Sequence, residues 1–130
     1  MKLIKIEGGR INVYEPQILP VGATAVVSGQ ALTLSAGKLV KATGKPTFVA
    51  LADGAAGAEI PVGRVESNQV YAVAPVSGVA VGTKYALTTD GTGITTSTAD
   101  GVAEVVYADA STVHVRFENR KESKIKWQTM

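Results

Sequence analysis

Short runs that alternate apolar and polar residues, separated by Gly, Asp, Pro and Thr, cover most of this chain. No segment shows the three-to-four-residue spacing of an amphipathic helix, whereas a period of two is typical of strands that bury one face. The pattern predicts an all-β domain, a small β-barrel or β-sandwich of about ten short, mostly antiparallel strands. The predicted strands are Ala23–Ser28, Gln30–Ser35, Lys38–Ala42, Thr47–Ala52, Ile60–Glu66, Gln69–Ala74, Lys84–Thr88, Gly93–Ser97, Val102–Ala108 and Thr112–Glu118.

Two turns predict hairpins between neighbouring strands. Ala36-Gly37 separates the second predicted strand from the third, and Gly37 can supply the positive φ of a tight loop. Asp90-Gly91 separates the seventh from the eighth in a Thr-rich segment that we expect to be exposed. The Gly- and Ala-rich segment Ala50–Glu59 is expected to be a flexible loop that orders on contact with a partner, or a single helical turn.

The chain divides into an extended N-terminal arm, residues 1–20, a β domain, residues 21–118, and a charged C-terminal tail, residues 119–130. Pro16 and Pro20 favour an extended arm that stays out of a central strand. An alternative is that this segment forms a first strand of the domain's own sheet.

The amino-acid composition limits the side chains that can build the hydrophobic core. The chain has 130 residues, of which 45% are hydrophobic, but only two are Phe, one is Trp and four are Tyr. A core of small aliphatic side chains suits a thin sandwich or a narrow barrel. There is no cysteine, which excludes disulfides and thiolate metal sites. No stretch approaches the roughly 20 apolar residues of a membrane span, so we expect no membrane partner.

The net charge of +2 is unevenly distributed. Residues 1–10 carry +2 and residues 116–130 carry +3, so the part between them carries −3. Basic ends suit an acidic partner surface, because complementary charge steers encounter. Solvated tails that keep the protein soluble are the alternative.

Catalytic chemistry has little support in the sequence. His114 is the only histidine, and alternation places it opposite the apolar residues Val113, Val115 and Phe117, on the polar face of a strand. The acids lie mostly in turns, where Asp bonds the local backbone. No Gly-rich phosphate loop is present. We therefore expect no enzyme activity, no cofactor, no metal and no nucleic-acid partner.

The order of several segments along the chain says more about function than the catalytic residue types do. Asn12–Pro20 is followed by a G-x-A-L-x-L-x-x-G-K-L motif over Gly29–Leu39, then by Pro46–Ala50, Gly101–Val106 and Val113–Phe117. This succession resembles the small head-decoration, or cement, proteins of tailed bacteriophages. The resemblance implies a virion structural protein on the capsid exterior, made in the host bacterial cytoplasm, that bridges major capsid subunits. It also implies a homo-oligomer, with a trimer at a threefold position as the expected state.

Within that hypothesis the two termini are the expected attachment segments. The arm combines apolar and basic residues and could add a strand to a neighbour's sheet, while the tail holds the only tryptophan between basic residues. The alternative is that the tail folds back over its own domain. The predicted partner-binding residues are Lys2, Ile4, Lys5, Ile11, Tyr14, Arg120, Lys124 and Trp127.

Two other functional classes stay open. One is a phage fibre or tail accessory protein or a carbohydrate-binding β module, with a contact surface formed by the Thr-rich hairpin of residues 88–98 and by an exposed Tyr71 or Tyr85. Glycan binding usually needs an exposed aromatic platform, and aromatic residues are few. The other is an enzyme with a jelly-roll-like fold, which a single histidine disfavours.

Overall fold

The computed structural model describes residues 1–6 and 16–117, with the backbone alone at residues 5 and 6. In this part of the chain there is no helix, and ten strands form two five-stranded antiparallel sheets, which confirms the all-β prediction and favours a sandwich over a closed barrel. The strands are β1 (Lys2–Ile6), β2 (Gln17–Pro20), β3 (Ala31–Ser35), β4 (Lys38–Lys41), β5 (Phe48–Ala50), β6 (Glu59–Arg64), β7 (Gln69–Val73), β8 (Lys84–Tyr85), β9 (Ala103–Ala108) and β10 (Val113–Phe117).

The first sheet has the strand order β1-β7-β10-β9-β8, and the second has the order β2-β6-β5-β3-β4. The predicted N-terminal arm therefore supplies an edge strand to each sheet. Pro20 is tolerated in β2 because an edge strand leaves one row of N–H groups outside the ladder. The structure at β1 and β2 therefore agrees with the alternative given for residues 1–20, strands of the domain's own sheets, and not with an arm outside them. Residues 7–15 and the predicted tail, residues 119–130, lie outside the described residues.

Eight predicted strands correspond to β3–β10, but two do not form strands. Ala23–Ser28 contributes a single bridge, from Val26 to Gly54, and Gly93–Ser97 contributes a single bridge to Leu87. In the second segment, side-chain oxygens bond the nearby backbone: Thr95 Oγ1 accepts from the N–H of Ser97. Such local bonds compete with a strand ladder.

The first predicted hairpin is confirmed. β3 and β4 are joined by the two-residue loop Ala36-Gly37, with φ of 51° and 79°, and both positive values suit a type I′ turn. The expected exposure of the second turn is wrong at its tip. Gly91 is buried, because its carbonyl accepts from the Ala31 N–H at 2.7 Å and the Asp90 carbonyl accepts from Gln30 Nε2 at 2.7 Å.

Two hydrophobic cores lie on opposite faces of the second sheet. The first core lies between the two sheets, and Val49 of β5 belongs to this core. The second lies on the other face, where Phe48 and Ala50 of the same strand are buried. In β10, Val113, Val115 and Phe117 are fully buried in the first core, which confirms the predicted alternation. As expected, both cores consist mainly of valine and other aliphatic residues.

The second sheet curls around its own core until its two edges meet. Val21, directly after β2, forms a parallel bridge with Leu39 of β4, and the Gly22 N–H donates to the Leu39 carbonyl at 2.9 Å. A single bridge joins these edges, not a continuous ladder. Neither edge of the second sheet is therefore fully open.

The segment predicted as a flexible loop is held by its own domain. Asp53 Oδ1 accepts from the Ser28 N–H at 2.7 Å, Gly54 exchanges two backbone bonds with Val26, and the Gly57 N–H donates to the Val21 carbonyl. These bonds fix residues 53–57 without a partner chain and without a helical turn. The expectation that the segment orders only on contact with a partner is wrong for this reason.

Candidate partner-binding surface

Only part of the predicted partner-binding set falls on described residues. Lys2 and Ile4 lie on β1 and are exposed, Ile4 by 43%, and the Lys5 backbone continues the same strand. The structure thus brings these three residues together on one edge of the first sheet. The other predicted residues lie outside the described part of the chain: Ile11, Tyr14, Arg120, Lys124 and Trp127.

The pairing of β1 leaves one of its edges open. It pairs antiparallel with β7 on one side, with Leu3 opposite Tyr71 and an irregularity in register at Ile4. No strand of the described residues pairs with the other side. An unpaired edge exposes N–H and C=O groups, and natural proteins often guard such edges with Lys and bulges. β1 has both features, because Lys2 is exposed and the irregularity lies mid-strand.

A cleft of about 670 Å³ opens beside β1, between the two sheets. This volume is in the range of about 300–1,000 Å³ that is usual for ligand sites. Its lining is mostly apolar: Met1, Lys2, Leu3, Ser28, Gly29, Val49, Ala50, Leu51, Tyr71, Ala72, Val73, Ala74 and Thr92.

Met1 lines the cleft together with Gly29, which precedes β3. The Met1 ammonium donates to the Gly29 carbonyl across 2.5 Å, which ties β1 to the turn before β3. Burial lowers the pKa of this ammonium below its ordinary value, because desolvation disfavours the charged form. The cleft is therefore bounded by atoms of both sheets.

Exposed apolar residues extend from the cleft across the second sheet. Ile18 is 60% exposed and lies opposite Pro61 on β6. The Pro61 carbonyl in turn accepts from the N–H of Leu51, which lines the cleft and is 38% exposed. Leu51 was missed by the sequence reasoning. A signal was present, because it is the one large apolar residue in the Gly- and Ala-rich segment Ala50–Glu59.

The tyrosines proposed for a contact surface are not exposed. Tyr71 is buried, with its hydroxyl donating to Gln69 Oε1, and Tyr85 is buried, with its hydroxyl accepting from the Ala80 N–H. Both carry a large apolar ring whose polar tip needs a partner, which a core position next to a polar group provides. Their expected role at the surface is wrong. Tyr107, 47% exposed, is the exposed tyrosine among the described residues.

The outer face of the first sheet is polar. His114 is partly exposed and packs against the ring of Tyr107, with centroids 5.1 Å apart. The Tyr107 hydroxyl donates to Asp109 Oδ2, and this bond, with N–H donors from Ser111 and Thr112, lowers the pKa of Asp109 to about 2. These contacts make a local turn network on the outer face of the first sheet. Within residues 1–6 and 16–117 no group of three His, Cys, Asp or Glu residues could hold a metal ion.

No helix in the described residues is long and apolar enough to cross a membrane. Comparison with known proteins adds no relative: no family, no curated protein and no solved structure matches the chain. The geometry of the β1 edge, its cleft and the neighbouring apolar residues is therefore the basis for a functional proposal.

Proposed function

We propose that this protein is a virion structural component that binds the outer surface of an icosahedral phage capsid and stabilises it by bridging major capsid subunits. The observation that carries the proposal is β1, an edge strand with exposed Lys2 and Ile4 beside a largely apolar cleft. Such a surface suits attachment to another protein more than chemistry on a small substrate. The resemblance of the segment order to head-decoration proteins supplies the kind of partner.

The architecture is compatible with this role. The G-x-A-L-x-L-x-x-G-K-L motif of the resemblance forms the β3–β4 hairpin, so the motif corresponds to one structural unit. Each bound copy would bury a standard interface of roughly 800 Å² per partner. Contacts with two or more subunits raise the effective concentration and tie neighbouring subunits together. In the same proposal the protein is a homo-oligomer, with a trimer as the preferred state, and analytical ultracentrifugation of the full chain measures that state.

The test is co-sedimentation of the purified protein with expanded, empty heads of the phage that encodes it, prepared without it. We expect saturable binding, a higher temperature of head disruption, and weaker binding at high salt if the basic termini contribute. Heads already saturated with the protein are the control, and they should bind no further copies. Absence of binding to undecorated heads would discard the capsid role.

A carbohydrate-binding or fibre-associated module is the second candidate, favoured by one observation. Tyr107, which is exposed, and His114, which is partly exposed, form a ring pair on the outer face of the first sheet, where a sugar could stack. A glycan array separates the candidates, because selective glycan binding that Tyr107→Ala abolishes would favour this second function. Binding to heads that Tyr107→Ala leaves unchanged would favour the first.

A further inference from the structure

We propose that the open edge of β1 and the adjoining cleft together accept an extended segment of the partner protein, in which apolar residues alternate with acidic ones. The inference deepens the proposed function and rests on it, since the partner is the protein to which this one attaches. It assigns the contact to one strand edge and states the sequence pattern that the edge would recognise.

Hydrogen-bonding groups along the outer side of β1 support this contact. In β1 one row of backbone N–H and C=O groups pairs with β7, and no strand of residues 1–6 and 16–117 pairs with the other row. The edges of the second sheet differ, because the Val21–Leu39 bridge brings them together. At the opposite edge of the first sheet, β8 has only two residues. Ala86 follows β8 directly, and its N–H donates to the carbonyl of Ser97, in the segment between β8 and β9. β1 is thus the longest edge of the described domain with an unpaired row, and a strand added to it would have to accommodate Lys2 and the irregularity at Ile4.

The cleft beside β1 offers space for apolar side chains of an added strand. Leu3 lies opposite buried Tyr71 and packs against the first core, so inward-facing positions of β1 point between the sheets. A strand added beside β1 would direct alternate side chains the same way. Those side chains would meet Val49 and Leu51 in a cleft of about 670 Å³, which has room for several aliphatic groups. The alternate positions of the added strand would face outward.

The positive charge of β1 bears on the sequence of an added strand. β1 contains Lys2 and Lys5 and no acidic residue, and Lys2 is exposed. Opposite charges on neighbouring strands stabilise a pair, whereas like charges directly opposite each other destabilise it. Antiparallel pairing with β1 of a second copy sets Lys2 of one copy opposite Ile6 of the other in the fully overlapping register, and opposite Lys5 when the register shifts by one residue. The exposed charge of Lys2 favours an acidic residue on the added strand over either of these partners.

The experiment selects from random ten-residue peptides displayed on yeast, using the full chain as the target. We expect enriched peptides to alternate apolar residues with Asp or Glu. Amide hydrogen exchange with one synthesised binder should show protection at Lys2–Ile6. Enrichment of no peptide, enrichment without this pattern, or protection elsewhere would overturn the inference.

Matched variants sharpen the test. Leu51→Glu places a charge in the cleft, and Leu34→Glu places one at a similarly exposed leucine, 43% against 38%, that does not line the cleft. We expect Leu51→Glu to weaken the binder's affinity roughly tenfold and Leu34→Glu less than twofold, because a desolvated cleft contact outweighs a rim contact. Equal effects would contradict a cleft-bound segment.

Charge reversal provides a readout that loss of folding cannot imitate. Lys2→Glu should weaken the acidic binder and strengthen the same peptide with its acids replaced by lysine, while Lys38→Glu, on β4, should change neither. If the protein binds heads but β1 gains no protection there, the inference fails and the proposed function stands. If selected acidic peptides protect β1 but heads are not bound, the strand-accepting edge stands and the capsid partner is wrong.

Discussion

The two sheets of this domain treat their edges in different ways. The second sheet curls around an aliphatic core until β2 and β4 meet at the Val21–Leu39 bridge. Among the described residues, the first sheet stays open at β1, beside a cleft that reaches its core. A closed edge stabilises one chain, whereas an open edge is available to another. In the attachment that we propose, the second sheet serves mainly as scaffold and the first provides the contact surface.

The largest expected effect is on the core of the first sheet. Phe117 is fully buried and its ring packs against Tyr71, with centroids 5.9 Å apart. Phe117→Ala should lower the free energy of unfolding by about 3–5 kcal/mol, through lost burial and a residual cavity. Urea unfolding measures the loss. Tyr107→Ala, at an exposed ring of the same sheet, is the control, and an equal loss there would refute the assignment of Phe117 to the core.

The next effect would open the second sheet. A Cβ on Gly22 would lie 2.9 Å from the Leu39 carbonyl oxygen, the acceptor that holds the two edges together. Gly22→Ala should therefore cost about 1–3 kcal/mol of unfolding free energy. Gly44→Ala is the matched control, because a Cβ there meets no atom within 4 Å. Thermal unfolding that gives equal losses for both variants would show that the bridge contributes nothing.

A smaller effect concerns the β3–β4 hairpin. Gly37 has φ of 79° and Ala36 has φ of 51°. Gly37→Ala should cost about 1 kcal/mol, because a Cβ is disfavoured in the left-handed region. Ala36→Asn should instead gain roughly 0.3–0.5 kcal/mol, since Asn tolerates that region and Asn-Gly is preferred in type I′ turns. Melting temperatures that move in the same direction for both variants would rule out this turn.

The smallest effect is a dependence on pH in the first sheet. The Tyr107 hydroxyl and two backbone N–H groups hold the pKa of Asp109 at about 2, below its ordinary value of 3.8. A lowered pKa in the folded state contributes stability that is present above about pH 4 and is lost as the pH falls towards 2. Asp109→Asn should therefore destabilise the protein near neutral pH by more than it does near pH 2. A difference that does not change with pH would contradict the bond network.

Sequence patterns predicted what depends on local alternation and turn chemistry. In β10 every second residue is apolar, so Val113, Val115 and Phe117 could be assigned to the core. The Ala36-Gly37 turn was equally readable, because glycine after a small residue suits a two-residue loop. The short period-two segments and the lack of helical spacing were enough for the fold class.

The remaining features depend on contacts between distant residues. Ala23–Ser28 alternates like a strand but forms a β-bridge only at Val26, because turns on either side end the ladder. The arm contains two edge strands whose partners lie some 40 to 70 residues along the chain, which no local pattern reveals. Leu51 and Leu3 line the same cleft through the packing of two sheets, so the position of the cleft could not be read from either segment alone.

The most direct test of the open edge as the contact surface is amide hydrogen exchange of the protein bound to undecorated heads, compared with the free protein. We expect Lys2–Ile6 to gain protection on binding, while Lys38–Lys41, on the second sheet, exchange at the same rate in both states. Bound protein that gains protection at the second sheet and not at β1 would contradict it.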